Sequence, residues 1–537
     1  VNVYRLLRYF LPLQNPVGFG IPDFVLFGLA ALLLGAILTR GWTEPAMRRL
    51  AESPRWSMAF LAALPIVLRL LLLGNHPVPV PSISDDFSYL LLGDTLAHFR
   101  LANAAHPMSR FFETVFVLQD PSYSSIYPLG QGIILALGQL FFHLPWAGVL
   151  LSVGAFCALC YWMLRAWVPP VWALAGGLLA VMQFGPLNQW SNNYWGGAVS
   201  AIAGCLVFGA VPRRNYRLIG LGLAIQMLTR PFEAVLLAIC ILPFIWPARR
   251  WILAALVITG AHNYAVTGNP TSLPYMLSRY QYGIPATFTF QKNAVAHRQL
   301  SQEQAMDYRA QTEVHGEQPE TVATFVIRLG ERVKFFRFFF YAPLYIAVLF
   351  FFPSLRERRY LWVAGCIALF WVGTNIYPYF YPHYVAALTC LFVLVAVVGL
   401  QRLGGDAMRI VVLLCFAQFL FWYGIHLFGN DDIFIATGQY ESWDYINFGD
   451  SEGRRAIERQ LAAAPGNHLV FVRYSAQHLL REWIHNDADI DRSRVVRALD
   501  LGPDENAKLG KYYSGRKIWL LEPDSRPVRL SALSGPP

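Results

Sequence analysis

Residues 81–130 read PSISDDFSYLLLGDTLAHFRLANAAHPMSRFFETVFVLQDPSYSSIYPLG and form the first long break in an otherwise apolar N-terminal third. Two adjacent carboxylates, Asp85 and Asp86, open the stretch directly after an apolar run of membrane length. An acid pair placed there has two readings. Acidic side chains favour the first turn of a helix, where they oppose its dipole, and Ser82 or Ser84 would then serve as the cap. The same stretch also gathers Asp94, His98, Arg100, His106, Arg110 and Glu113, more titratable groups than a connector between two spans needs. That excess favours a chemical role for the pair.

Working outward, composition sets the class. The chain has 537 residues, 55% hydrophobic and only 14% charged, with a mean hydropathy of +0.39. This is too apolar for an ordinary soluble protein and too long for one packed core, so a polytopic α-helical membrane protein is expected. Trp, Tyr and Phe crowd the ends of apolar runs, as in Trp371 to Tyr384, which suits rings at the lipid headgroups. The net charge of +10 is spread over short arginine clusters between apolar runs rather than one basic stripe. Positive-inside topology accounts for it, and no nucleic-acid partner is expected. All seven cysteines lie inside apolar segments, so neither a disulfide framework nor a loop zinc site is indicated. The first apolar run lacks a small-residue cleavage site and reads as an anchor.

Arginine loops orient the spans. Runs at 22–39 and 56–74 flank a loop with Arg40, Arg48, Arg49 and Arg55, expected inside, which puts the acid-rich loop 75–145 outside. Residues 129–142 make only about 21 Å of helix, short of a hydrocarbon core of roughly 30 Å, and read as a helix lying on the outer surface. Spans follow at 146–165, 171–187 and 195–211, then a hairpin over 216–247 that turns at Arg230-Pro231, then a span at 251–266. A second outer loop, 267–335, carries Arg279, Lys292, His297 and an amphipathic stretch from Ser301 to Gln311. Further spans at 336–353, 360–376, 384–400 and 410–428 bring the expected total to about twelve. After residue 429 the composition turns polar. Strand-like runs at His468–Tyr474, Arg494–Leu499 and Arg516–Glu522 alternate with helical stretches at 452–463 and 504–512. The expected division is therefore a transmembrane domain over 1–429 and a small α/β domain over 430–537 on the outer side.

Three outer elements offer groups that can meet: the acid pair, the hairpin tip with Arg230, and the Tyr377–Tyr384 turn with His383 and Tyr384. A carboxylate facing cations at a membrane surface suits transfer from a phosphate-linked donor, the acid taking a proton from the acceptor and the cations holding the phosphate that leaves. Arg230 reads equally well as a side chain snorkelling from a helix end. The segment NQWSNNYWGG, 188–197, is rich in amides and aromatics that suit sugar hydroxyls and ring faces, or an ordinary interfacial belt. Candidate substrate contacts are Asn192, Tyr194, Trp195, His106 and Arg279. Asp487, Asp489 and Asp491 alternate as in a calcium loop, yet the Gly and Glu such a loop needs are missing, and a solvated loop is expected.

These residues resemble the polytopic GT-C glycosyltransferases of the bacterial protein-mannosyltransferase and aminoarabinose-transferase type. The likeness is carried in order by Asp85-Asp86 after an early span, by YPLGQGIILALGQLF from Tyr127, by the Arg230-Pro231 hairpin and by Pro382-His383-Tyr384. It covers about Ser57 to Leu400. It implies a polyprenyl-phosphate-linked sugar donor and a glycan, lipid or protein acceptor. It also implies inverting hexosyl or pentosyl transfer on the outer face of a bacterial inner membrane, with Asp85 as base and Asp86 as its partner. Many such enzymes carry a further acid in the short second outer loop, where this chain has Asn192 and Asn193. That departure weakens the case for a divalent metal, and no metal ligands are assigned. The rival class is a transporter or flippase of a lipid-linked saccharide. It fits the span count, but mid-span charges are few, chiefly Arg69 and Glu233, and there is no internal repeat.

Overall fold

The computed structural model describes residues 43–318, 320–429, 453–478 and 481–533, together with Gly28, Ala31 and Gly35. Apart from those three positions the expected span 22–39 lies outside the described residues, as does 430–452 at the head of the polar tail.

Among the described residues five helices are long and apolar enough to cross a membrane: Pro54–Gly74, Pro145–Leu164, Leu242–Thr267, Pro382–Leu403 and Gly405–Phe428. A sixth crossing would join Val322–Phe339 to Leu344–Arg356, two pieces bent by 116°. The chain is a multi-pass membrane protein. Shorter apolar helices, Pro170–Phe184, Ala198–Ala210, Tyr216–Thr229 and Pro231–Cys240, stand where further spans were expected. Each falls short of a straight crossing, so among the described residues, which leave out the expected span 22–39, helix length supports five or six crossings.

Local chemistry explains where these helices stop. The expected single span 336–353 is broken because Phe340 is extended (φ −138°, ψ 131°) and Pro343 precedes the next helix. The expected span from 195 starts only at Ala198, because Gly196 (φ 77°) and Gly197 (φ 151°) hold backbone that L side chains rarely adopt. The hairpin divides at Arg230 (φ −146°, ψ 87°), with Pro231 opening the second arm.

The acid pair lies on the first turn of helix α1, Ser84–Ala97. The expected Ser82 or Ser84 cap is not made: the capping position is Ile83, with no side-chain cap, and the Ser82 amide donates to Asp86 Oδ2 at 3.3 Å instead. Three short strands follow, β1 (Asn103–Ala104), β2 (Val117–Leu118) and β3 (Ser122–Ser125), antiparallel in the order β1-β3-β2. Helix α2, Leu129–Phe142, then packs Leu135, Ala136 and Gly138 inward and exposes Ile133, Leu137, Leu140 and Phe141. That exposed stripe at helical spacing suits a helix lying on a lipid surface. In the second large loop, helix α3, Gln302–His315, is opened by a reciprocal capping box between Ser301 and Gln304.

The polar tail forms helix α4 (Arg454–Ala463), helix α5 (Pro503–Tyr512) and a sheet of four strands. Its strands are β4 (His468–Val472), β5 (Val495–Leu499), β6 (Lys517–Glu522) and β7 (Arg529–Ala532), in the order β5-β4-β6-β7. β4 pairs parallel with both neighbours and β7 runs antiparallel to β6. Leu469, Phe471, Val496 and Leu509 share one apolar cluster with Leu91, Phe111, Phe112 and Tyr123 of the acid-rich loop. The tail is therefore seated on the loop that carries the acid pair.

Candidate active site

Position on the first turn of α1 aims the two carboxylates differently. Asp85 is half-buried, and its Oδ1 accepts from the Tyr127 hydroxyl at the entrance to α2. The Tyr127 ring is stacked on Tyr89, one helical turn beyond Asp85, with centroids 4.0 Å apart and planes at 8°. Burial raises the Asp85 pKa, and the Tyr127 hydrogen bond and the Arg230 charge pull it back down. Asp86 is only 6% exposed. Its Oδ1 accepts from the Tyr194 amide at 3.2 Å and its Oδ2 from the Ser82 amide. Burial pushes it up to about 7, against the pull of those two amides.

Arg230 reaches the same place from the break in the hairpin. It pairs with Glu233 at 3.5 Å, one turn along the second arm, and its guanidinium lies 4.9 Å from the centroid of the Tyr384 ring. His383 is 3% exposed, stacks on Tyr381 with centroids 5.5 Å apart and meets Trp195 edge-on at 5.0 Å. The field of Asp85 is felt by both Tyr381 and Tyr384. The structure thus brings Asp85, Asp86, Arg230, His383, Tyr384, Tyr194 and Trp195 into one neighbourhood built from four separate parts of the chain.

Three predicted contacts sit elsewhere or are already occupied. The amide of Asn192 is buried, accepting from Arg69 Nε at 2.7 Å and donating to the carbonyls of Pro186 and Asn188 at 3.0 and 2.7 Å. His106 lies at the seam with the tail, 3.3 Å from Asp491 and 3.1 Å from the Tyr513 hydroxyl, so Asp491 serves this joint. Arg279 donates to the carbonyls of Pro285 and Ala286 at 3.0 Å each and shapes the second large loop.

Sequence reasoning missed Tyr127, Tyr89 and Asp307. Tyr127 carried a weak signal as the residue heading YPLG; Asp307 carried none beyond its place on an amphipathic helix. Asp307 accepts from Gln311 Nε2 at 2.5 Å, and burial, with the nearby Asp85 charge, pushes it up to about 7. From α3 it shares the electrostatic surroundings of Asp85. Among the described residues no group of three or more His, Cys, Asp or Glu side chains is arranged to hold a metal. With Asn192 committed to Arg69, no step is routed through one.

No protein-family model matches the chain, and no curated protein matches it. Among solved structures it is similar to ArnT from Cupriavidus metallidurans in the apo state, at 12% identity over 86% of this chain and 92% of that one, with a TM-score of 0.49. It is also similar to the archaeal oligosaccharyltransferase AglB from Archaeoglobus fulgidus, solved with an inhibitory peptide and a dolichol-phosphate. That match has 11% identity over 87% of this chain and 69% of that one, with a TM-score of 0.40. The apo form of the Archaeoglobus fulgidus oligosaccharyltransferase aligns at 13% identity over 78% and 62% of the two chains, with a TM-score of 0.36. At such identities and scores the likeness assigns no activity to this chain.

Proposed function

We propose that the protein is a GT-C type membrane glycosyltransferase that moves a sugar from a polyprenyl-phosphate donor to a glycan, lipid or protein acceptor on the outer face of a bacterial inner membrane. The observation that carries this reading is the Asp85 carboxylate, held by Tyr127, set in one electrostatic neighbourhood with the Arg230 guanidinium. Asp85 takes the proton of the acceptor group as the acceptor's lone pair bonds to the anomeric carbon. The bond from that carbon to the phosphate oxygen breaks with its electron pair on the phosphate, and attack from the opposite side inverts the configuration. Arg230, His383 and Tyr384 line the place where the phosphate charge builds up, and fixed charge there stabilises the transition state. Asp86 orients Asp85 or the acceptor. Transport of a lipid-linked saccharide is not favoured, because the two buried charges expected within spans stand at helix ends and are engaged, Arg69 with Asn192 and backbone carbonyls and Glu233 with Arg230.

The test is incubation of proteoliposomes with a radiolabelled polyprenyl-phosphate sugar and cell-envelope acceptors. Label moving into an acceptor, with free polyprenyl phosphate released, is the expected result. Label crossing the bilayer still attached to its lipid would overturn the reading in favour of a flippase.

A further inference from the structure

Arg69 stands in the last turn of the first long helix, where the chain leaves for the acid-rich loop, and is 1% exposed. A guanidinium so buried is costly unless every donor is used, and an acidic partner is the usual answer. Among the described residues no carboxylate pairs with it. Its partners are Asn192 Oδ1, at 2.7 Å from Nε, the carbonyl of His76 at 2.8 Å and the carbonyl of Pro77 at 3.2 Å, and its Cζ lies 4.8 Å from the centroid of the Trp146 ring. The fork thus ties together two outer segments distant in sequence, the start of the acid-rich loop and the segment 188–197.

Everything that Arg69 holds leads to the acid pair. Asn192 is two residues from Tyr194, whose amide donates to Asp86 Oδ1 at 3.2 Å and whose hydroxyl donates to the carbonyl of Pro79 at 2.8 Å. The same segment is pinned by Trp146 Nε1 on the carbonyl of Ser191 at 2.7 Å and by Gln131 Nε2 on the carbonyl of Tyr194 at 2.9 Å. Next to it, Trp195 meets His383. Gly196, at φ 77°, closes the segment with backbone that L side chains rarely adopt, packed against the Gln131 side chain.

We propose that Arg69 is a positioning residue for this site: its guanidinium clamps residues 76–77 to Asn192 and so presents the Tyr194 amide to Asp86 and the Trp195 ring to His383. The consequence for catalysis rests on the glycosyltransferase reading; the clamp itself does not. A guanidinium is needed because its donors diverge in one plane toward three acceptors, a geometry that the single ammonium of lysine does not reproduce.

The full chain in lipid nanodiscs tests this with Arg69→Gln, Arg69→Lys, Asn192→Asp and Asn192→Leu. Backbone hydrogen exchange over 188–197 should speed up by about tenfold or more in Arg69→Gln and Asn192→Leu, as local opening becomes easier. Asn192→Asp keeps the acceptor for Arg69 but loses the two Nδ2 bonds to the carbonyls of Pro186 and Asn188, so it should speed exchange less than Asn192→Leu, with Arg69→Lys likewise in between. Losing the Tyr194 amide removes a hydrogen bond that favours ionised Asp86, so the acid limb of kcat/KM against pH should move up by about half a unit or more in the two loosened variants. Unchanged exchange over 188–197 in both overturns the clamp. Reduced turnover with an unmoved acid limb reduces Arg69 to a structural residue and overturns its role in the site. Absence of transfer by the wild type would sink the enzymatic reading while leaving the exchange result to decide the clamp. Asn192→Leu leaves the long helix and Arg69 intact should Arg69→Gln fail to accumulate.

Discussion

Tyr127 donates its hydroxyl to Asp85 across 42 residues of the acid-rich stretch, while its ring rests on Tyr89 one turn beyond that carboxylate. A hydrogen bond to the ionised form lowers a carboxyl pKa, and here it opposes the rise that burial imposes. Tyr127→Phe keeps the stacked ring and deletes the donor. The Asp85 pKa should then rise, moving the acid limb of kcat/KM to higher pH and cutting transfer most strongly on the acid side of the profile. A limb that stays in place would mean that Asp85 is not the group titrating in that limb.

Asp85→Asn preserves shape and removes the proposed base, so turnover should fall by about 10² to 10⁴ while the melting temperature stays near wild type. Asp86→Asn should be impaired less. Because Asp86 is pushed up to about 7 by burial, its carboxylate form is complete only above neutral pH, and the Asn variant should flatten the rise in activity between about pH 6 and 8. Steady-state transfer assays across that range decide the roles. An active Asp85→Asn with a dead Asp86→Asn would move the base by one residue.

On the proposed reaction Arg230→Ala and His383→Ala should each lower turnover by at least about tenfold, the scale of one lost charge-assisted contact to a leaving phosphate. Arg230→Ala also strands Glu233 in a buried position, since the two are paired at 3.5 Å. The double variant Arg230→Ala/Glu233→Gln separates these effects. It should recover thermal stability without recovering activity, and recovered turnover would show that Arg230 acts only by neutralising Glu233.

The joint between the second large loop and the tail should be alkali-sensitive. Glu303 of α3 and Glu482 of the tail are buried together beside His478, which contacts Glu303 at 3.2 Å and Asp524 at 2.7 Å. Burial pushes Glu303 up to about 8 and Glu482 well above the usual carboxyl range. At these two carboxyls the native state keeps protons that the unfolded chain releases above about pH 4.5, so their contribution to stability is lost as pH rises through about 8. Differential scanning fluorimetry should record a falling melting temperature from pH 6 to 9 in wild type and a flatter course in Glu303→Gln. Equal slopes would locate the alkaline sensitivity elsewhere.

Orientation is open to labelling, because all seven native cysteines are buried and give a quiet background. Gln302, Arg492 and Arg358 are exposed. Cysteines at 302 and 492 should react with an impermeant thiol reagent in intact spheroplasts, and one at 358 should not. The reverse pattern would place the acid pair on the cytoplasmic side.

Residue types and their spacing were enough to read the membrane class, the acid pair, the helix at 129–142, the hairpin pivot at Arg230 and the alternation of strands and helices in the tail, since apolar length, periodicity and proline breaks are local properties. What needed tertiary structure were the meetings: Tyr127 with Asp85, Arg69 with Asn192, Asp307 within the field of Asp85 and His106 drawn away to Asp491. Each depends on where distant segments pack. A buried hydrogen bond leaves no period in a sequence, so Asn192 looked like a sugar ligand until its amide was found committed to a guanidinium 123 residues away. The break at Phe340 escaped notice for a related reason. Hydropathy records how apolar a run is, whereas its path was decided by one extended residue and by the neighbours against which the two halves pack.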